Sequence, residues 1–168
     1  MNQEKTLRQV LSELGWITYK TQGRSMEPLL HTGRDLVTIR RREPGEPLKE
    51  NDVVLYFRPD APDHLILHRV VGFAPDGSAI ILGDNNVFFE RDILDENIIG
   101  VLAFITRKGR HIEMDDPWYL EYVDKLRRNQ SSRIRRQRPW RVLDSRLRSF
   151  AKRLLGPKLT ALVRRICA

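Results

Sequence analysis

Residues 16–114 consist of short runs of residues that favour β-strands. Turn signals separate these runs, and no long helical pattern lies between them. The runs are rich in Val, Ile, Leu and aromatic residues, whereas Pro, Gly, Asp and Asn cluster between them. Short strands without intervening helices predict a mainly β fold, either an antiparallel β-barrel or a folded double sheet. The predicted strands are residues 16–20, 36–40, 53–57, 65–73, 79–82 and 98–106.

A short amphipathic helix is predicted before these strands, and Gly15 is well placed to end it. Four apolar side chains recur there at helical spacing: Leu7, Val10, Leu11 and Leu14. We therefore predict an N-terminal helix within residues 1–15, a β domain over residues 16–114, and a helical tail over residues 115–168.

The tail is strongly basic. Residues 117–168 hold 15 Lys and Arg against 3 acids, a net charge of +12, so residues 1–116 carry −4 of the whole-chain charge of +8. Gly156-Pro157 separates two predicted helices. Their apolar side chains recur at helical spacing: Leu143, Leu147, Phe150 and Leu154, then Leu159, Leu162, Val163 and Ile166.

A basic amphipathic helix can dock on its own protein or on a protein partner, and it can also lie on an anionic membrane surface. We expect docking on protein first and a membrane surface second. Arginine clusters also attract nucleic acid nonspecifically, but no zinc-finger or aromatic-rich RNA-binding pattern accompanies them. No specific nucleic-acid partner is therefore expected.

Cysteine usage and hydropathy exclude several classes of protein. The single Cys167 excludes an internal disulfide framework and a cysteine-based metal site. No run approaches the roughly 18 apolar residues of a membrane-spanning helix, and the first residues lack the order of an export signal. His31, His64 and His111 share no ligand spacing, so we expect no metal and no cofactor. These features predict a cytoplasmic protein without a transmembrane segment. Peripheral attachment to a membrane surface is an additional option.

Three short segments carry residue types that complement each other chemically. Ser25 lies in Gly-Arg-Ser-Met-Glu-Pro at residues 23–28, His68 lies in a predicted strand, and Asp84 begins a turn after the next strand. A serine hydroxyl needs a neighbouring base near neutral pH, and His68 is the best candidate. A carboxylate such as Asp84 could orient that histidine, or hold the loop that does so.

Each segment also has an ordinary structural explanation. Ser25 is placed to cap a short turn of helix over residues 26–30, although Glu27 lies two residues after it and not three, so a capping box is absent. His68 alone would be a core histidine, and residues 83–86 alone would be a loop at a strand end.

Read in order, Gly-x-Ser-Met-x-Pro, a strand carrying His-Arg-Val, and Gly-Asp-Asn-Asn resemble the signal peptidase I family. Its catalytic domain is shared with LexA-type self-cleaving repressors. Residues 33–37, 51–54 and 99–102 also resemble strand-entry signatures of that domain, and the resemblance covers about residues 18–114. It implies the β fold of that domain. His68 stands where many members have lysine, which implies the branch that uses serine and histidine.

The resemblance implies that Ser25 is the nucleophile, His68 the general base and Asp84 the supporting acid. Glu90 stands where this branch often has a second acidic residue, although Asp92 is close enough to compete. We also expect the charge of Arg69, beside a buried strand, to pair with an acid such as Glu90.

The loop around the nucleophile is expected to form the oxyanion hole and the edge that meets the substrate, through Gly23, Arg24, Met26 and Pro28. Lysine-type members often carry a hydroxyl at the position of Gly23. The hole is therefore expected to use backbone N–H groups, notably that of Ser25 at a short helix start.

The resemblance implies a serine endopeptidase that cleaves an extended peptide, of signal or leader type, after small side chains. One alternative is a self-cleaving regulator of the LexA sort, but no DNA-binding helix pair is recognisable in the 24 residues before Ser25. The other is a non-catalytic binding module whose basic tail meets a membrane surface or a partner.

Overall fold

The computed structural model describes residues 6–43 and 45–129. This part of the chain is mainly antiparallel β, with a short N-terminal helix and a C-terminal helix. Residues 1–127 form one compact unit of the chain. The two basic helices predicted on either side of Gly156-Pro157 lie outside the described residues, and so does Cys167.

The strands form one open sheet in the order β1-β2-β7-β3-β4-β5-β6, and β8 pairs with one end of β7. Within the described residues β1 and β6 are its edges, so the alternative of a closed barrel is wrong. The strands are β1 (Trp16–Lys20), β2 (Asp35–Arg41), β3 (Val53–Arg58), β4 (Ala61–Phe73), β5 (Ala79–Leu82), β6 (Glu90–Ile93), β7 (Ile98–Arg107) and β8 (Arg110–Glu113).

All six predicted strands are present, and β1 and β5 have the predicted bounds. The largest difference is at β4, which begins at Ala61, whereas the predicted strand began at residue 65. A turn at Pro59 and Asp60 is enough to reverse the chain, and Arg58 already pairs with Ala61. The strands β6 and β8 were not predicted, since each has four residues and is mostly polar.

The predicted N-terminal helix is confirmed as α1 (Leu7–Leu14). Thr6 caps it in a capping box with Gln9, and Gly15 ends it in the left-handed region with φ +80°. Leu11 is its buried residue. Gly100 of β7 allows close packing here, since a Cβ at that position would lie 3.0 Å from Leu11 Cδ2 and 2.7 Å from a backbone oxygen of β2.

A second helix, α2, covers residues 117–129. It begins with Pro117, a favoured first residue, and the Asp116 carboxylate accepts a hydrogen bond of 2.8 Å from the Trp118 N–H. Tyr119 and Val123 are buried in the same core cluster as α1. The start of the predicted tail is therefore part of the packed domain. No helix within residues 6–43 and 45–129 is long and apolar enough to cross a membrane.

The two faces of the β3–β4 pair contribute to different core clusters. Val54 and Tyr56 belong to one cluster, and Val53 and Leu55 belong to the other. Because side chains alternate along a strand, consecutive residues of β4 also point to opposite faces. In register, His68 lies across from Val54 and the next residue of β4 lies across from Val53. The sheet therefore sends His68 and its neighbour Arg69 into different surroundings.

Candidate functional site

Backbone contacts bring the Ser25 loop against the turn that follows β5. The Asn85 N–H donates a hydrogen bond of 2.7 Å to the Ser25 carbonyl oxygen. The Asn85 side-chain amide donates a second bond, of 3.1 Å, to the Arg24 carbonyl oxygen. Two of the three predicted segments are thus joined through Asn85.

Gly83 is the point at which all three segments meet. A Cβ atom built on Gly83 would lie 2.8 Å from the Ser25 carbonyl oxygen and 2.9 Å from His68 Nε2. Real Cβ contacts are essentially never so short, so only glycine fits without displacing its neighbours. The Ser25 backbone and the imidazole therefore face each other across Gly83.

His68 is buried, and its Nδ1 faces two oxygen atoms. Glu90 Oε1 lies 3.0 Å away and the Tyr56 hydroxyl oxygen lies 3.2 Å away. A carboxylate only accepts hydrogen bonds, so this contact requires the proton on Nδ1. Within the described residues no hydrogen bond reaches Nε2, which lies on the side of the Ser25 loop.

The electrostatics of this cluster keep Glu90 charged. The hydrogen bond from His68 lowers the pKa of Glu90, partial burial opposes it, and a hydrogen bond from Tyr56 lowers it further. Burial raises the pKa of Tyr56, and its hydrogen bond to Glu90 raises it more. Tyr56 is therefore a neutral donor to the Glu90 carboxylate.

Ser25 is half-buried as a residue. In the described part of the chain its hydroxyl makes no hydrogen bond with His68, and the two residues approach through the Ser25 backbone. The short helix expected after Ser25 is not formed: residues 25–29 make a run of turns with a cis Glu27–Pro28 peptide. The Ser25 N–H therefore does not stand at the start of a helix, contrary to the expectation from the sequence.

The other loop residues named from the sequence lie around the same turns. Gly23 has φ +83°, and its carbonyl oxygen accepts a 2.6 Å hydrogen bond from the Thr32 hydroxyl. Met26 is buried, whereas Arg24 and Pro28 are exposed. The expected substrate edge thus has one anchored side chain and two that face solvent.

Arg69 pairs with Asp84 and not, as expected, with Glu90. Two bonds of 2.8 Å join its guanidinium to the two carboxylate oxygens. Arg69 also donates to the Tyr119 hydroxyl at 2.8 Å, and the Tyr122 hydroxyl donates to Asp84 Oδ2 at 2.9 Å. Both ions are fully buried, with side-chain exposures of 1% and 0%. This cluster fixes the turn that carries Gly83 and Asn85, and α2 supplies two of its hydroxyls.

A second ion cluster, not predicted, holds the other end of the Ser25 loop. Asp35 is buried and accepts hydrogen bonds from Arg107, from Arg34 and from the His31 N–H. Arg107 also donates to the Leu29 carbonyl oxygen at 2.6 Å. The sequence carries a signal for this cluster in the Gly-Arg-Asp at residues 33–35, where the resemblance predicts only a strand entry.

The remaining candidates do not join the site. Asp92 is exposed with φ +62°, so Glu90 is the acidic residue that lies on His68. His31 Nδ1 lies 3.8 Å from Glu27 Oε1. In residues 6–43 and 45–129 no group of three or more His, Cys, Asp or Glu side chains could hold a metal ion. An open cavity of about 360 Å³ borders Glu90 and is lined by Arg58, Pro59, Asp60, Arg91, Asp92 and Ile93.

Comparison with known proteins adds no relative: no protein-family model matches this chain, and no curated protein sequence is significantly similar to it.

Proposed function

We propose that this chain is a serine endopeptidase of the signal peptidase I type, in which Ser25 is the nucleophile and His68 the general base. Glu90 is the acid that orients His68. Asp84, which the motif alone suggested for that role, instead holds the Gly83 turn through Arg69. Asp84 thus acts as a positioning residue.

One observation supports the proposal most strongly. Glu90 takes the Nδ1 side of His68 at 3.0 Å, and Nε2 faces the Ser25 loop across Gly83. A general base needs this arrangement, with one nitrogen tied to a carboxylate and the other directed at the nucleophile. A histidine that served only the core would have both nitrogens satisfied by the protein.

In the proposed reaction the hydrogen bond between Ser25 Oγ and His68 Nε2 forms when substrate binds, since catalytic hydrogen bonds often tighten only in that complex. Nε2 then removes the hydroxyl proton as Oγ attacks the peptide carbonyl. The imidazolium, stabilised by Glu90, returns the proton to the leaving amine, and a water molecule hydrolyses the acyl-enzyme by the same route.

The oxyanion would be bound by backbone N–H groups. Those of Ser25 and Met26 donate no hydrogen bond within the described part of the chain. Both flank the carbonyl that Asn85 fixes, so the loop is held while these donors stay available. The substrate class is an extended peptide of signal or leader type with small side chains before the cut, bound along a sheet edge.

The test is cleavage of a mixed library of extended peptides with small residues at varied positions, followed by mass spectrometry. We expect cleavage by the natural protein and at least about a 10³-fold loss in Ser25→Ala and in His68→Ala. Ser12→Ala and His64→Ala are matched controls, because both residues are exposed and His64 lies on the same strand as His68. Absence of cleavage by the natural protein, or equal losses in the controls, would refute the assignment.

A further inference from the structure

Tyr56 stands in the middle of β3 and has the appearance of an ordinary buried aromatic residue. Its hydroxyl, however, lies on the same face of the sheet as His68, since Tyr56 follows Val54 by two residues and Val54 lies across from His68. The hydroxyl oxygen is 3.2 Å from His68 Nδ1. A sheet position that needed only packing would be filled equally well by Phe.

The Tyr56 hydroxyl also meets Glu90. The interaction between the two groups raises the pKa of Tyr56 and lowers the pKa of Glu90, so the neutral hydroxyl faces a charged carboxylate. The other carboxylate oxygen, Oε2, is buried and has no hydrogen-bond partner among the described residues. The hydrogen bond from His68 goes to Oε1, and the Tyr56 hydroxyl lies beside it, 3.2 Å from His68 Nδ1. Without the hydroxyl, only His68 would fix the orientation of Glu90.

We propose that Tyr56 is a positioning residue for the His68–Glu90 pair: its hydroxyl holds the carboxylate in place and offers Nδ1 a second acceptor. Both contacts favour the tautomer with the proton on Nδ1 and the lone pair on Nε2. This inference rests on the proposed function for its catalytic meaning, but the effect on the histidine does not depend on catalysis.

Asp60, Arg91 and Asp92 line the open cavity beside Glu90, but the groups that shift its pKa come from β3 and β4. They are Tyr56, His68 and Arg58, whose positive charge also favours the carboxylate. Removing the hydroxyl removes one cause that lowers the pKa of Glu90. We therefore expect the acid limb of any activity profile to move to higher pH in Tyr56→Phe.

The test compares the full chain with Tyr56→Phe, using imidazole nitrogen chemical shifts of His68 and peptide cleavage. In the natural protein we expect Nδ1–H as the dominant form. In the variant we expect a mixture that includes Nε2–H, and a fall in kcat/KM of about tenfold with KM nearly unchanged. Tyr119→Phe is the matched control, since it removes a buried hydroxyl that bonds Arg69, and the His68 tautomer should not change.

A double-variant cycle separates positioning from general stability. If Tyr56 acts through Glu90, then Tyr56→Phe should have no further effect on the tautomer or on cleavage in a Glu90→Gln background. Additive effects, or an unchanged tautomer in Tyr56→Phe, would overturn the inference. A tautomer change in a protein that cleaves no peptide would support the positioning role and refute the proposed peptidase.

Discussion

His68 and Arg69 are adjacent in β4, and each meets a carboxylate, yet the two pairs differ in kind. Arg69 and Asp84 form a bidentate pair with no solvent access, and hydroxyls from α2 complete it. His68 and Glu90 share one hydrogen bond, have side-chain exposures of 7% and 23%, and leave Nε2 directed at the Ser25 loop. The alternation of one strand thus separates a pair suited to chemistry from a pair suited to anchoring the loop.

The sharpest test of this contrast is Glu90→Gln. The amide keeps the shape of the side chain but can no longer stabilise an imidazolium or impose the Nδ1 proton. We expect kcat/KM for peptide cleavage to fall by about 10³- to 10⁴-fold. Stability measured by urea unfolding should change much less than in Asp84→Asn. A fully active Glu90→Gln variant would show that the His68–Glu90 pair is not needed for catalysis.

Asp84→Asn should act in the opposite way, mainly on stability. The substitution leaves the buried Arg69 charge without its partner, so we expect the free energy of unfolding to fall by about 3–5 kcal/mol.

The control is the double variant Arg69→Met/Asp84→Leu, which replaces both ions by apolar groups. It should recover much of the lost stability, because desolvation of the two charges is no longer needed. If the double variant is as unstable as Asp84→Asn, then the loss of stability comes mainly from the unpaired hydroxyls of α2 and not from the unpaired charge.

The Asp35 cluster also anchors the Ser25 loop, and its contribution to stability depends on pH in a defined way. Burial raises the pKa of Asp35, but hydrogen bonds from Arg34, Arg107 and the His31 N–H outweigh it and hold the pKa well below its ordinary value. The unfolded chain therefore binds the proton more tightly, so the stabilisation is present above about pH 4 and is lost as the pH falls. We expect Asp35→Asn to cost about 3 kcal/mol at pH 7 and less at pH 3, as measured by urea unfolding.

Gly83→Ala tests whether the Ser25 loop and His68 must approach each other closely at Gly83. The added methyl group would meet the Ser25 carbonyl oxygen and His68 Nε2 below 3.0 Å, so we expect about 1–3 kcal/mol of destabilisation together with loss of cleavage. Gly72→Ala is the matched control, since nothing lies within 4 Å of a Cβ there and no left-handed φ is required. Equal behaviour of the two variants would mean that the close approach at Gly83 does not matter.

The smallest expected effect is that of Tyr122→Phe. The substitution removes one hydrogen bond to the Asp84 carboxylate, and we expect a loss of about 1–2 kcal/mol in the free energy of unfolding. The His68 tautomer should remain unchanged. A shift in that tautomer would show that the anchoring pair and the His68 pair are coupled and not independent.

The sequence was sufficient for most of the sheet, because the apolar runs of β1 and β5 are bounded by strong turn signals. It was insufficient for β6, in which Arg and Asp separate Glu90 from Ile93 and no apolar alternation marks a strand. This strand exists because it pairs with β5, where Ile81 lies across from Glu90. Such pairing is a long-range property that local composition does not encode.

The sequence predicted which residues belong to the site better than it predicted which of them touch each other. Ser25, His68 and the turn at residues 83–86 do converge, but the partners of His68 and Arg69 depend on which face of β4 each occupies. That choice follows from the register with β3, and residue types alone do not give it. Tyr56 was missed for the same reason, since a tyrosine in an apolar strand has the pattern of a core residue.

The hydroxyls of Tyr119 and Tyr122 close the buried pair from outside the sheet, and this has a consequence for the order of synthesis. A ribosome makes every strand of the described sheet, together with Ser25, His68 and Glu90, before it adds either tyrosine. A nascent chain that ends at β8 therefore holds all the proposed catalytic groups while the anchor of the Gly83 turn is still incomplete. The packed domain is whole only when α2 has emerged, and an expression boundary drawn at β8 would cut it short.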